Sequence, residues 1–518
     1  MTDETSYLDV SLRKIAKGAG IGFTGTFIGT ALGYLSRMII ARFLGASDYG
    51  LVCLAFAGVS IAVSLSLVGL PAGVTRYVSF YKGKEDKGRI KGTIVGAIKI
   101  SLPLSLIFVL ILFAGAEWIS VHVFHEPRLA SVLMIFAVSI PFWVLRSNFN
   151  SAVVGFQVLQ YQVYVNQFFE NIFKLAAIVA LLALGFGVLG AAGGWTLAIV
   201  LTPFLAFYFL EKKVFPVFNT KVKAISVNKE LLFFSFPLIF AGLAGLITGW
   251  TDTLMLGYFS TTSDVGIYNT ALPTAKLLSV GAGAFGAIFM PVVSELYARD
   301  RIEDLKSVYS TVTKWILSIT LPLFLLMFLF SKELINILFG SEFVAGATAL
   351  SILAFSYFIS SLFGLSAPLL QSYGRTKIIM GGSFAGAGAN FGLNLLLIPI
   401  YGVKGAAIAT GISFALMSIF YFFFVFKIGE IQPFRKNYLK PVAASAVAVS
   451  VVYAVTKYIV GTSFFSLIVM FIVFLGLYFF LLLIFKSFEE EDLMIMRAID
   501  QRLGTKSDWV RKIIQRFL

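Results

Sequence analysis

Among the charged residues inside long apolar segments of this chain, five are our main candidates for function, because a charge in such a segment is costly. Three are cations, Arg37, Lys174 and Lys276, and two are carboxylates, Glu170 and Asp252. Within apolar helices, such side chains typically line substrate or ion pathways. A buried cation can hold an anionic group such as a phosphate, and a buried carboxylate can hold a proton or Na⁺. The excess of cations over carboxylates favours an anionic ligand.

Several of these residues also have a purely structural explanation. Arg37 lies near the end of its segment, so its long side chain could reach the membrane surface. Lys276, in the middle of its segment, could pair with a carboxylate elsewhere in the chain. Glu170 and Lys174 are four residues apart, so they share a helical face and could neutralise each other.

The composition indicates that the surrounding segments cross a membrane. Of the 518 residues, 58% are hydrophobic and 13% are charged, and the mean hydropathy is +0.91. A soluble domain averages about 45–50% apolar and about 25% charged residues. Lipid must therefore cover much of the apolar surface. The single cysteine, Cys53, excludes an internal disulfide, and no metal site or cofactor is predicted.

Apolar runs of about 20 residues, the length that crosses a bilayer as a helix, predict fourteen spans. The runs lie near 19–40, 51–74, 93–114, 129–147, 163–184, 188–210, 231–258, 265–290, 311–330, 343–368, 378–399, 403–426, 441–460 and 464–485. With the N-terminus inside, most of the 41 lysine and arginine residues fall in inner segments, as the positive-inside rule requires. The chain is thus predicted to be an all-α polytopic membrane protein with both termini in the cytoplasm.

The distribution of basic residues also bears on the partners. Two inner cations, Arg146 and Arg76, could meet an incoming phosphate, but the positive-inside rule explains them equally well. The formal net charge of +15 matches a chain whose basic residues face the anionic lipids of the inner leaflet, so nucleic acid is not an expected partner. Apolar and basic residues alternate over 509–518, which predicts an amphipathic helix lying on that leaflet.

An internal repeat relates two parts of the chain. Ser47-Asp48-Tyr49-Gly50 and Ser263-Asp264-Val265-Gly266 are 216 residues apart, and 187–192 resembles 402–407 at a spacing of 215. Both copies begin inside and contain six spans, so they have the same orientation. Such a parallel repeat predicts two six-helix lobes around a central cavity. In this alignment Arg37 and Asp252 fall at matching depths.

The repeat and the spans divide the chain into six expected parts. These are a cytoplasmic N-terminal segment (1–18), an N-lobe of spans one to six (19–210), a cytoplasmic linker (211–230), a C-lobe of spans seven to twelve (231–426), the two C-terminal spans (427–486) and a cytoplasmic amphipathic tail (487–518).

Short motifs at the outer turns resemble a known family. Arg42-Phe43-Leu44-Gly45, followed by Asp48-Tyr49-Gly50, resembles the turn after the first span of polysaccharide-transporter flippases. This branch belongs to the multidrug/oligosaccharidyl-lipid/polysaccharide exporter superfamily. In the second copy the similar residues are 252–259, 265–269 and 291–294. The resemblance covers roughly residues 12–485.

The resemblance implies a flippase rather than an enzyme. Its expected substrate is a lipid-linked oligosaccharide, carried on polyprenyl phosphate or diphosphate and moved from the inner to the outer leaflet of the plasma membrane. Alternating access by a monomer is the expected mechanism. Two alternatives remain: a cation-coupled multidrug exporter of the same superfamily, and a membrane glycan polymerase or ligase.

The resemblance also assigns roles to the buried charges. It places Arg37 and Asp252 across the cavity, where we expect an ion pair near the outer mouth. Lys276 is expected at the phosphate headgroup. Asp252 is a candidate site for H⁺ or Na⁺, although the membrane potential alone could drive an anionic headgroup outward, at about 2.3 kcal/mol per charge per 100 mV.

Overall fold

The computed structural model describes residues 2–219, 221–461 and 464–489. Within these ranges the chain is helical and contains no β-strand. Nine helical segments of the described residues are long and apolar enough to cross a membrane. Apart from short breaks, the fourteen predicted runs all fall on helix, which confirms an all-α multi-pass protein, while the number of spans stays a prediction. The predicted amphipathic helix at 509–518 lies outside the described residues.

The chain forms two compact units, Met1–Asn269 and Thr270–Leu518. The first contains α1 (Thr2–Leu67), α2 (Leu70–Gly83), α3 (Lys87–Trp118), α4 (Leu129–Ala137), α5 (Ile140–Gly155), α6 (Leu159–Val163), α7 (Glu170–Ala183), α8 (Gly187–Phe209), α9 (Asn228–Phe259) and the start of α10 (Thr262–Lys276). The second contains the end of α10, then α11 (Leu278–Ala298), α12 (Ile302–Leu329), α13 (Ser331–Phe339), α14 (Ala347–Leu362), α15 (Ser366–Ser372), α16 (Thr376–Gly429), α17 (Leu439–Val455) and α18 (Phe464–Ile484). Two of these ranges each contain two helices, which meet at a non-helical glycine: Gly45 in α1 and Gly402 in α16. The lobe boundary within 211–230 stays a prediction.

Each unit has apolar cores of its own. In the first unit, Leu70 and Val74 of α2 pack with Ile94 of α3 and Leu210 at the end of α8. In the second unit, one core joins α11, α12, α15 and α16, and another joins α17 to α18. The hydroxyl of Tyr478 donates to the Ser318 carbonyl at 2.7 Å, which fastens α18 to α12.

The internal repeat reappears in the backbone as left-handed residues at a constant spacing. Glu85 and Asp300 both have φ of 57°, and Gly187 and Gly402 have φ of 55° and 53°. Each pair is 215 residues apart, which is the spacing of one of the sequence matches. Because non-glycine residues seldom adopt this region, the agreement supports a structural repeat rather than a chance likeness of small residues.

The two turns of the repeat that are predicted to lie outside, which we call the outer turns, contact each other within the first unit. A methyl group placed on Gly50 would overlap the carbonyl oxygen of Thr262, and one placed on Gly266 would overlap that of Ala46. The contact is reciprocal, because 46 corresponds to 262 and 50 to 266 in the repeat. The hydroxyl groups of Ser47 and Thr262 lie 3.0 Å apart beside it. Glycine is required at both positions so that the backbones can approach.

The segment predicted as a linker is held against α3. This helix carries Gly88, Gly92 and Gly96 at four-residue spacing, so they line one face of the helix. The Ile225 amide donates to the Gly88 carbonyl at 3.0 Å, and a methyl group on Gly92 would overlap the Ile225 carbonyl. The Asn228 side chain lies against Gly96 in the same way. The extended segment 221–227 therefore follows the glycine face closely.

Glu211 holds the turn in which this linker begins, and we expect Glu211→Gln to loosen it. Its carboxylate is 5% exposed and accepts the backbone N–H groups of Val217 at 2.8 Å, Phe218 at 3.1 Å and Asn219 at 2.7 Å. Glutamine offers one accepting oxygen instead of two, and losing a hydrogen bond to a charged group costs about 1.5–3 kcal/mol. The rate of hydrogen exchange at the backbone amides of 217–219 should rise about tenfold or more. Glu230→Gln, at an exposed residue, is the control, and unchanged exchange in Glu211→Gln would contradict this role.

Candidate functional site

Four of the predicted site residues come together in the first unit, on three different helices. Arg146 of α5 forms an ion pair with Glu170 of α7. Lys174, one turn further along α7, is 7% exposed and lies within electrostatic range of Glu170, Arg146 and Arg37 of α1. We refer to Arg37, Arg146, Glu170 and Lys174 as the cation cluster. It contains three cations and one carboxylate.

The ion pair suggested by the spacing of Glu170 and Lys174 is not the one that forms. Glu170 pairs with Arg146 instead, and the Lys174 ammonium donates to the side-chain oxygen of Asn171 at 2.8 Å. Sequence spacing finds partners on the same helix but cannot find Arg146, which comes from a neighbouring helix. The side chains of Arg146 and Glu170 are 11% and 15% exposed, so the pair is largely withdrawn from solvent.

Glycines of α1 bring this helix close to the residues that carry the cluster. A methyl group on Gly29 would overlap the side chain of Gln167, just before α7, and a methyl group on Gly33 would lie 3.3 Å from Asn171 of α7. Arg37 follows Gly33 by one helical turn. Gln167 belongs to a π-helical segment, Tyr164–Phe169, directly before α7. Such segments are often found at functional sites.

Aromatic rings surround the cations of the cluster. The Arg37 guanidinium lies 5.8 Å and the Lys174 ammonium 5.1 Å from the centre of the Trp195 ring. The Arg146 guanidinium lies 5.3 Å from the centre of Trp143. Phe56 of α1 contacts both tryptophans. Ring faces stabilise cations when water is scarce, so the site can keep its positive charge inside the membrane and attract an anion.

Asp252 forms a separate polar contact in the same unit. The carboxylate is 4% exposed and accepts the hydroxyl of Tyr268, in α10, at 2.5 Å. Next to it, the Asn269 side chain donates to the Thr253 hydroxyl at 3.1 Å. The expected ion pair of Asp252 with Arg37 stays a prediction. Sequence reasoning missed Tyr268 because it lies on the next helix.

The two remaining site candidates lie outside the cation cluster. Lys276 was expected in the middle of a span, but it is the last residue of α10, before a break at Leu277, and its side chain is exposed. The freed Lys276 carbonyl accepts the hydroxyl of Ser279 at 2.7 Å. Arg76 is exposed on α2, with its guanidinium 4.2 Å from the centre of the Phe234 ring. In the part of the chain that the structure describes, no group of three His, Cys, Asp or Glu residues could hold a metal ion.

Comparison with known proteins identifies both the fold and the family. A family model described as polysaccharide biosynthesis protein matches residues 15–297, and one described as MatE matches residues 237–396. An uncharacterized membrane protein of Methanocaldococcus jannaschii is 29% identical over 82% of this chain and 87% of its own length. The probable low-salt glycan biosynthesis flippase Agl15 of Haloferax volcanii is 25% identical over 77% of this chain and 80% of its own.

A solved structure of the lipid II flippase MurJ, in an inward closed conformation, has the same fold. The TM-score is 0.70 at 17% identity, over 92% of this chain and 100% of that one. This likeness concerns the fold alone. The family model covers more than half of the chain and agrees with the motifs at the outer turns. The chain therefore belongs to the polysaccharide biosynthesis protein family of multi-pass membrane transport proteins.

Proposed function

We propose that this protein is a flippase for a lipid-linked oligosaccharide carried on polyprenyl phosphate or diphosphate. It moves this substrate from the inner to the outer leaflet of the plasma membrane by alternating access, as a monomer with both termini in the cytoplasm. The observation that carries the proposal is the cation cluster of the first unit.

The charges of the cluster suit a phosphate headgroup. Arg37, Arg146 and Lys174 bring three positive charges into membrane-spanning helices, and Glu170 balances one of them. Unbalanced charge in the membrane is costly, and an anionic headgroup relieves that cost when it binds. An arginine can hold phosphate oxygens through two parallel hydrogen bonds, and a lysine acts as a point charge.

The relatives support the same substrate class. Agl15 is named as a probable flippase of glycan biosynthesis, and MurJ is named as a flippase for lipid II. Movement of an anionic headgroup outward is favoured by an inside-negative potential, at about 2.3 kcal/mol per charge per 100 mV. Asp252, with Tyr268 as its hydrogen-bond donor, is our candidate for an H⁺ or Na⁺ site that couples to the same movement.

A cation-coupled multidrug exporter is the second candidate, favoured by the MatE match over 237–396. An acidic site would favour binding of an organic cation, whereas the cation cluster is positive. A glycan polymerase or ligase is disfavoured, since the relatives named here for a function are flippases.

The test is transport by the full-length protein in liposomes that carry a defined lipid-linked oligosaccharide with a labelled glycan. Accessibility of the glycan to a membrane-impermeant reagent reports its leaflet. We expect movement between leaflets, and a rate at least about tenfold lower in Lys174→Met, because the buried ammonium is lost. Lys332→Met, at an exposed lysine of the second unit, should transport normally. Absence of glycan movement, together with export of a fluorescent organic cation, would favour the exporter instead.

A further inference from the structure

An apolar groove lies beside the break between α1 and α2. It encloses about 220 Å³. Most of its lining is aliphatic and comes from α1, α2 and α9: Leu65, Leu67, Pro71, Ala72, Leu238 and Ile239. All of these residues belong to the first unit, so the groove is formed within one compact part of the chain.

The backbone explains why the groove is open. Val68 and Gly69, with φ of 49° and 70°, end α1 and turn the chain into α2. A methyl group on Gly69 would lie 2.5 Å from the Ser235 carbonyl, and one on Gly73 would lie 2.7 Å from Leu231. The start of α2 and α9 therefore touch at these glycines. Gly242 of α9, which also lines the groove, has no neighbouring atom within 4 Å of the position that a Cβ would take.

An exposed cation lies one helical turn from the groove. Arg76 follows the groove residue Ala72 by four positions on α2, and Phe234 precedes Leu238 by four positions on α9. The Arg76 guanidinium lies over the Phe234 ring at 4.2 Å. One turn of helix advances about 5.4 Å, so the charge sits at the edge of the apolar surface. Among the described residues Arg76 forms no ion pair with a carboxylate.

We infer that this groove holds the isoprenoid chain of the carrier lipid, with the lipid phosphate at Arg76. The inference rests on the proposed function and adds a site outside the cation cluster. A polyprenyl phosphate has one long apolar chain and an anionic group at one end, which matches an apolar groove with a cation at one end. A volume of about 220 Å³ is below that of a typical drug-sized pocket, so it accommodates a stretch of one hydrocarbon chain.

The surrounding charge favours the same ligand. The predicted inner segment that follows α2 is rich in lysine and arginine: Lys82, Lys84, Lys87, Arg89 and Lys91. Basic residues at the inner surface attract anionic headgroups within a Debye length. Arg76 is the basic residue nearest to the groove on α2, which makes it the residue best placed to fix the phosphate while the chain lies on α2 and α9.

Photo-crosslinking of the full-length protein in phosphatidylcholine nanodiscs tests this site. The probe is a polyprenyl phosphate with a diazirine on an isoprene unit near the phosphate, and adducts are located by mass spectrometry. We expect adducts at 64–72 and 238–242. Unlabelled polyprenyl phosphate should displace the probe, and the same amount of phosphatidylglycerol should not. Arg76→Gln should raise the concentration of polyprenyl phosphate needed for half displacement by about tenfold. Lys332→Gln, at an exposed lysine of the second unit, should change this concentration less than about twofold.

Three results would overturn the inference. In the first, the adducts lie elsewhere in the chain. In the second, phosphatidylglycerol displaces the probe as well as polyprenyl phosphate does. In the third, Arg76→Gln and the unmodified protein need the same concentration of polyprenyl phosphate for half displacement. Ala72→Phe, which fills the groove, should abolish labelling there; if this variant does not fold, the surface substitution Arg76→Gln still decides. Transport with adducts located elsewhere contradicts this site alone. Labelling of the groove without transport contradicts the proposed function alone.

Discussion

Glu170→Gln is expected to destabilise the folded protein by about 3–5 kcal/mol, the usual cost of removing one partner from a buried ion pair. The pair of Arg146 with Glu170 is largely withdrawn from solvent. Without Glu170, the three cations of the cluster would remain in membrane helices with no carboxylate among them. Repulsion among them adds to the loss of the pair. Thermal unfolding of the purified protein in detergent measures the change.

Removal of the other partner of the pair, in Arg146→Gln, should destabilise the protein less. In Arg146→Gln, Lys174 lies one turn from Glu170 on the same helix and can take over the carboxylate. The double variant Arg146→Gln with Glu170→Gln should recover part of the stability lost in Glu170→Gln, because no unpaired Arg146 is left. Glu303→Gln is the matched control: its pair with Lys306 is exposed, so we expect a change below about 1 kcal/mol. If Glu170→Gln and Glu303→Gln have the same melting temperature, the pair does not stabilise the fold as we expect.

Gly50→Ala is expected to destabilise the protein by about 3 kcal/mol or more, at the upper end of the cost of overpacking. The added methyl group would overlap the backbone carbonyl of Thr262. Neither can rotate away: the backbone fixes the position of the methyl group, and the carbonyl is itself part of the backbone. The outer turns would have to separate, and the contact between the Ser47 and Thr262 hydroxyls would be lost with them.

A glycine without neighbours gives the matched control. Gly249, within α9, has no atom within 4 Å of its Cβ position, so Gly249→Ala should stabilise the helix by about 0.5–1 kcal/mol. The same substitution is thus expected to have opposite signs at the two sites. Gly50→Ala with Gly266→Ala should cost less than the sum of the single variants, since the first already parts the turns. A Gly50→Ala protein as stable as the unmodified one would mean that the turns do not touch.

The hydropathy pattern predicted the helices well, but not every place where they break. Spans one and two were expected as separate helices, and the backbone does break between them, at Gly45 of α1, where φ is 78° and ψ is 179°. The end of α1 falls at Val68 and Gly69, inside the predicted second span. A valine with positive φ cannot be recognised from its type, because valine disfavours that conformation. The neighbouring Gly69 packs against Ser235 of α9, a contact between helices that the local sequence does not report.

The site was predictable in its residue types but not in its contacts. Membrane energetics singled out Arg37, Glu170 and Lys174, and the structure brings them together. The partner of Glu170 depends on how α5 packs beside α7, which no spacing along the chain reports. The break at Leu277, directly after Lys276, was not predicted for a related reason: the apolar run continues through it, so hydropathy did not reveal it. The depth of Lys276 in the membrane stays a prediction.

The reciprocal contact of the outer turns also has the form of a two-fold interface. In a symmetric homodimer, residue i of one subunit contacts residue j of the other, and j contacts i. Gly50 with Thr262, and Gly266 with Ala46, have this form within a single polypeptide. The two turns therefore meet as the same surface of two identical subunits would. Identity of sequence is needed only where the backbones approach: Tyr49 and Val265 differ, while the glycines beside them are the same.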